Sequence, residues 1–402
     1  MTPSLEVAWS HHWRHGLHTG ADDGSGEILE APQYRFKAPM TQQASHKTAK
    51  TTGGYSSPVT AYRAQNRRRW LVLLSLIGSL GAVSVYGLTL GPLQIGAMDT
   101  LRALLSPWVS GGLVSSQIEN VVWNIRLPRL GTAVTAGMGL ALGGVILQTL
   151  LRNPMASPFT LGLSSGASLG AALVIVFGFS AFGVYGIVAN AFIFAMGVSL
   201  LILMIGQWKG ATPTSLILAG IALMYFFGAT TTLIVYFSDA YATREVMFWT
   251  VGSLSRANWE SLAFIGIALL LTLPVFLWRA NDLNRLLLGD DTAKSLGMAV
   301  ERLRIALMLL VAFLVAVVVA FTGGIGFLGL VAPHLARLLI GTDHRFLIPA
   351  TALMGGLLLA LADLVSLHAF GSVILPVGVV TAFIGSPLFI YLILRRREGA
   401  AA

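Results

Sequence analysis

The chain of 402 residues contains no cysteine. This excludes a disulfide scaffold, thiol catalysis and cysteine metal sites. Charge is almost as scarce: 11% of residues are Asp, Glu, Lys or Arg, against about 25% in soluble domains. With 55% of the residues apolar, that deficit cannot be hidden in one water-soluble core. No charged side chain occurs from Asn153 through Trp208, or from Leu364 through Leu394. Apolar runs of about 20 residues are the pattern of transmembrane helices. No Gly-Lys dipeptide is present, so the phosphate-cradling loop of nucleotide hydrolases is absent. Nor is there a His-Glu-x-x-His zinc-protease motif. Asp290-Asp291 is a lone acidic pair in a polar loop, not a repeated magnesium-binding pattern. These absences disfavour a membrane enzyme and favour a transporter or channel.

What is there is an all-α, polytopic pattern. From Trp70 onward the sequence reads as ten apolar spans, near 70–90, 128–149, 158–180, 184–206, 213–237, 260–278, 304–322, 326–341, 346–367 and 374–394. Gly137, Gly139, Gly143 and Gly144 lie inside the second span. Small residues let helices approach closely in lipid, where hydrophobicity does not drive helix onto helix. One compact helix bundle is therefore expected over residues 67–397, with a short tail at 398–402. Residues 1–66 are of another kind, polar and aperiodic, and read as a disordered cytoplasmic tail. They carry no apolar segment near the N-terminus that would make a signal peptide. Met40 offers an internal start. His11, His12, His15 and His18 read as solvated side chains, because nothing in the segment would orient them as metal ligands.

Ten spans put both termini on one side. Beyond the distal tail, sixteen basic residues fall on that side and five on the other: Arg102, Arg126, Arg129, Arg244 and Arg256. The bias identifies the terminal side as cytoplasmic. The net charge of +9 is thus a topology signal, not evidence for a nucleic-acid partner. Arg126 and Arg129 run against the bias, in Ile125-Arg126-Leu127-Pro128-Arg129. Pro128 suits the first turn of a helix, and cations there oppose the helix dipole. Two cations placed against both trends fit either an acidic partner or snorkelling to lipid phosphates.

The segment 279–303 is the longest polar break after the tail and lies on the cytoplasmic side in this topology. Leu283, Leu286, Leu287 and Leu288 are followed by Gly289-Asp290-Asp291-Thr292-Ala293-Lys294-Ser295-Leu296-Gly297. Two short helices around Gly289 are expected, with Thr292 or a nearby polar group capping the second. A short amphipathic helix of this kind suits a soluble partner or the lipid interface. Asn153-Pro154 reads as a turn signal and Thr214-Ser215 as a helix start.

The region from about Trp70 to Arg397 resembles the membrane permeases of ATP-binding-cassette importers for iron-siderophores, haem and cobalamin, the FecCD-like, type II class. The residues that carry the resemblance are Ile125-Arg-Leu-Pro-Arg129, Asn153-Pro-Met-Ala-Ser-Pro158, Leu161-Gly-Leu-Ser-Ser-Gly166, Leu218-Ala-Gly220, Phe248-Trp-Thr-Val-Gly-Ser253, Gly326-Phe-Leu-Gly-Leu-Val-Ala-Pro-His334, Thr342-Asp-His-Arg345 and Leu375-Pro-Val-Gly-Val-Val-Thr-Ala382. Each is short; all eight occur in order.

The resemblance implies a permease that works as a dimer with a second copy or a homologue, in the bacterial cytoplasmic (inner) membrane. Its partners would be ABC ATPase subunits and an extracytoplasmic substrate-binding protein. ATP and magnesium would sit on the ATPase, and this chain would bind no cofactor or metal and carry no catalytic residue. It also implies inverted repeats relating the second to fifth spans to the seventh to tenth. By position, Arg126 and Arg129 would receive acidic residues of the binding protein. Leu286, Leu287 and Gly289 to Gly297 would touch the ATPase, and Asn153, Met155, Thr214 and Ser215 would line cytoplasmic gates. Many members carry a third docking arginine after an Ala-Asp in the ninth span. Here Ala362-Asp363 leads to Leu367 in that place, with His368 beside it. An iron(III)-siderophore is the first expectation for cargo, with haem and cobalamin as alternatives. An ATPase-independent channel or secondary transporter is the other class; buried charges for proton or sodium coupling would favour it.

Overall fold

A computed structural model of the chain describes residues 58–91, 93, 95–108, 114–178, 182–208, 212–369 and 374–398. The histidines of the N-terminal segment, Met40 and the last four residues lie outside these. The described residues form fifteen α-helices and no strand. In chain order the first are α1 (Pro58–Thr89), α2 (Ala97–Leu105), α3 (Ser116–Asn120), α4 (Leu127–Leu150) and α5 (Leu163–Phe177). Then come α6 (Gly186–Trp208), α7 (Pro213–Tyr236), α8 (Ala240–Val251), α9 (Trp259–Trp278) and the short α10 (Ala280–Leu286) and α11 (Asp290–Ser295). The last are α12 (Val300–Thr322), α13 (Leu328–Ile340), α14 (His344–His368) and α15 (Val377–Glu398).

Each of the ten expected spans has its helix: α1, α4, α5, α6, α7, α9, α12, α13, α14 and α15. Seven helical stretches are long and apolar enough to cross a membrane. The first helix reaches back to Pro58, into the segment expected as tail. The second span also begins earlier than expected. Ser115 caps α3 by accepting a hydrogen bond from the Ile118 amide, and a π-helical stretch, Val121–Arg126, joins α3 to α4 without a break. Pro128 is therefore not at the free end of a helix, and Arg129 does not face an open N-terminal dipole. The expectation failed because the polar residues Gln117, Glu119, Asn120 and Asn124 interrupt the apolar pattern without interrupting the helix.

The two short helices α5 and α13, at 15 and 13 residues, reach only about 20 Å at 1.5 Å per residue. A bilayer core is about 30 Å thick. The remaining depth is made up by irregular chain. Residues 153–162 turn through Pro154 and Pro158 and end at Gly162, whose φ of +77° is left-handed. Residues 323–327 end at Phe327, with φ of +64°. Non-helical backbone is tolerated at membrane depth only where protein buries it or a cavity hydrates it. Here the two segments meet: Pro158 and Phe159 line one small cavity together with Ile325 and Phe327.

The arrangement repeats. The order long, short, long, long of α4–α7 recurs in α12–α15. Helix α14 packs along α4 as α6 packs along α12, and α13 packs on α14 as α5 packs on α6. Helices α4 and α12 are the second and seventh crossings, so they run in opposite directions, the relation of inverted repeats. Helix α4 is the hub. In its most apolar stretch 78% of the residues are buried by the chain, against 17% in α1 and α7. Gly137 lies against the Gly355 carbonyl of α14, and Gly144 against the Gly329 carbonyl of α13, at distances that leave no room for a side chain. The glycines of α4 thus act as contact points between backbones.

Candidate functional site

Three clusters hold the residues singled out by sequence. At one end of the bundle are Arg126, the last residue of the π-helical stretch, and Arg129 of α4. Arg126 is buried, 8% exposed, and Nη1 donates to the Leu88 carbonyl at 2.7 Å while Nη2 donates to the Leu93 carbonyl. It fastens the end of α1 and the chain leading to α2 onto the second span. Arg129 forms a two-pronged ion pair with Asp363 of α14: Nη2 to Oδ1 is 2.8 Å, and Nε lies 3.1 Å from both carboxylate oxygens. Both side chains are nearly covered, 12% and 5% exposed. The two arginines are therefore engaged inside the chain. An outward-projecting pair was expected because spacing shows which face a side chain leaves but not what meets it there. His368, the last residue of α14, is exposed and bonds through Nδ1 to the Leu364 carbonyl.

The opposite end holds the segment 279–303, which forms α10 and α11 around Gly289 as expected. Gly289 has φ of +106° and Gly297 φ of +80°, values that favour glycine. No side chain caps α11. Thr292 stands in its first turn, and the acidic pair Asp290-Asp291 there complements the helix dipole instead. Asp290 also bonds Arg304 at 2.8 Å, which ties α11 to α12. Lys294 pairs with Glu301 at 2.6 Å, which raises the lysine pKa. The expected apolar contact surface needs one correction. Leu286 is 1% exposed and Ala293 is fully covered, both within this chain. Leu287, Leu288 and Leu296 are the exposed apolar side chains, at 45%, 63% and 58%. Ser295 bonds back to the Thr292 carbonyl.

A polar network anchors α10 to the bundle. Asn284 Nδ2 donates to Asp343 at 2.9 Å, which orients its Oδ1 toward His344. That oxygen accepts from the His344 amide at 2.9 Å and faces Nδ1 at 2.8 Å. Nδ1 therefore carries a proton, and Nε2 faces Thr149 Oγ1 of α4 at 2.7 Å. Asp343 also bonds Arg69 of α1 at 3.3 Å and Arg345 at 2.7 Å. Arg345 foremost, with Asn284, holds its carboxyl well below the usual range. One carboxylate thus joins α1, α10 and the start of α14. The sequence offered one signal for this, Thr342-Asp-His-Arg345, but not its partners.

The expected gate residues stand near this end. Asn153 Oδ1 accepts from the Met155 amide at 2.8 Å and fixes the turn that leaves α4; Met155 is 58% exposed. Thr212, one residue before Pro213, caps α7 by accepting from the Ser215 amide at 3.2 Å, so Thr214 and Ser215 form its first turn. Thr214 is exposed. Three of the described helices had no sequence expectation: α2, α3 and α8. The signal for α8 was Asp239, an N-cap that accepts from the Tyr241 and Ala242 amides.

Helices of membrane-crossing length, irregular breaks that meet inside the bundle and an internal inverted repeat define a multi-pass membrane protein. The family is settled by comparison. The family model of the FecCD transport family matches residues 79–395. The chain is 38% identical over 332 residues to the hemin transport system permease protein HmuU of Yersinia pestis, covering 82% of this chain and 95% of that protein. It is 39% identical over 295 residues to the vitamin B12 import system permease protein BtuC of Vibrio cholerae, covering 72% and 88%. A solved structure described as an inward-facing conformation of a metal-chelate type ABC transporter superposes with a TM-score of 0.71 at 34% identity, covering 81% of this chain and 99% of that one. The chain belongs to the FecCD family and is an ABC importer permease, a transport component and not itself an enzyme.

Proposed function

We propose that the chain forms, with a second permease, the membrane path for a large metal chelate. An iron(III)-siderophore is the cargo expected from sequence. Haem and cobalamin stand equally beside it, because permeases named for them are similar over most of their length. The observation that carries the reading is the family match across residues 79–395, nearly all of the described bundle. Energy would enter as ATP binding and hydrolysis on separate ATPase subunits docked at the cytoplasmic face. Leu287, Leu288 and Leu296 supply exposed apolar contacts there, around the turns at Gly289 and Gly297. Movement of α10 would pass through Asn284 to Asp343 and His344, and so to α14, α1 and α4, a rigid element with two positions. Asn153, Met155, Thr214 and Ser215 would serve as the gate on that side.

On the outer side a binding protein would deliver cargo. An acidic residue from it would have to compete with Asp363 for Arg129, and with two carbonyls for Arg126. The test is hydrolysis by the complex reconstituted with its own ATPase and binding protein, against a panel of ferric siderophores, haem and cobalamin. Stimulation by one chelate class identifies the cargo. Hydrolysis that no chelate-loaded binding protein stimulates would remove the reading.

A further inference from the structure

A cleft of 820 Å³ opens beside the turn between α10 and α11. Its polar lining includes Gln148, Thr149, Arg152, Asn153, Arg337 and His344, and no carboxylate is among the lining residues. The wall begins where α4 ends. There the Asn153 amide donates to the Gln148 carbonyl at 3.1 Å and the Arg152 amide to the Thr149 carbonyl at 3.2 Å. This is the Schellman closure of a helix, whose left-handed position is ordinarily glycine. Here it is Arg152, with φ of +46°. A side chain in that conformation strains the backbone, and such strain concentrates at functional positions.

What the strained position delivers is a cation. The Arg152 guanidinium lies 3.8 Å from where a Cβ on Gly289 would stand. Three arginines near the cleft carry carboxylate partners: Arg304 has Asp290, and Arg69 and Arg345 share Asp343. Among the described residues, Arg152 has no ion pair. Across the cleft, the half-buried Arg337 donates from Nη2 to Gln148 Oε1 at 2.7 Å, a neutral acceptor that holds the guanidinium in place. Two arginines in a concave, carboxylate-free pocket match the geometry of a phosphate group, which a guanidinium grips through paired N–H donors.

We propose that this cleft is a phosphate-binding site, with Arg152 and Arg337 as its cations. The group can belong to an anionic lipid headgroup or to free phosphate; the chemistry is shared. The test uses the full-length permease bound to its ATPase in nanodiscs. Inorganic phosphate is titrated into phosphatidylcholine discs, and separately phosphatidylglycerol replaces part of the lipid; thermal shift and native mass spectrometry read binding. R152G removes the cation and relieves the left-handed strain, so it folds with an unchanged or higher Tm. R337Q removes the second cation. Each is expected to weaken binding by about tenfold or more. Saturable binding of inorganic phosphate that both variants weaken supports a free-phosphate site. Binding only with phosphatidylglycerol, weakened likewise, supports a lipid headgroup. Absence of saturable binding by either probe, or binding that both variants leave unchanged, overturns the proposal. Loss of ATPase co-purification in R152G with anion binding intact would also overturn it, because Arg152 would then be meeting an acidic protein surface.

Discussion

Removing the carboxylate of Asp363 tests how the outer end of the bundle is held. In the structure this side chain is 5% exposed and meets an Arg129 that is 12% exposed, through three contacts of 2.8–3.1 Å. The pair bridges α4 and α14, the hub and the helix that packs on it most extensively. D363A leaves a guanidinium with little access to water and no counter-charge, and breaking a buried pair in this way costs about 3–5 kcal/mol. R129M strands the carboxylate and costs a similar amount. The double variant strands neither, and apolar replacement of a whole buried pair is often close to neutral. The double variant is therefore expected to be more stable than either single one, with a coupling of several kcal/mol. Unfolding by SDS in mixed micelles, run as a double-mutant cycle, measures this. Single costs below about 1 kcal/mol, the range of exposed pairs, with additive doubles would refute the buried-latch reasoning. The same variants bear on docking. If Arg129 also receives an acidic residue of a binding protein, D363A removes the internal competitor and strengthens association, whereas R129M weakens it.

Further outcomes separate packing from coupling. L286A should cost about 2–5 kcal/mol in stability because the side chain is core, while L287D and L288D should leave the fold intact and reduce ATPase co-purification. G144A should destabilise by about 1–3 kcal/mol, since its Cβ would stand 1.9 Å from the Gly329 carbonyl oxygen; G197A, which meets nothing within 4 Å, is the control and should be neutral or slightly stabilising in the same micelle assay. Asp343 has a folded pKa below its ordinary value of about 3.9. Its stabilising contribution is thus present above about pH 4 and lost as pH falls from there toward the lower folded value. D343N should be less stable than the parent protein at neutral pH, with the gap closing in acid; a gap independent of pH would contradict this.

Much of the architecture was legible from composition. Each of the ten apolar runs has its helix, because a lipid-facing helix must be apolar along its whole length and so announces itself. The paired short helices around Gly289 were also legible, since only a few residue types serve such a turn; the positive φ at Gly289 and Gly297 came with the structure. The early start of α3 at Ser116 was not: the helix is held by its Ser115 cap and by packing, while its sequence looks polar.

Partners across long separations were beyond sequence altogether. Asp363 lies 234 positions from Arg129, and the Leu88 carbonyl 38 from Arg126. The spacing of two arginines shows that they share a face, but only the approach of α14 and of the end of α1 turns them from an outward pair into internal fastenings. The same holds for Leu286 and Leu287, adjacent leucines in one polar break. Which one is core and which one is contact surface was decided by the side of a two-turn helix that lies on the bundle. Hydropathy along the chain thus specified which segments enter the membrane, a property local to each segment. The burial of a given charge or leucine depends on what packs against it, and that came only with the tertiary structure.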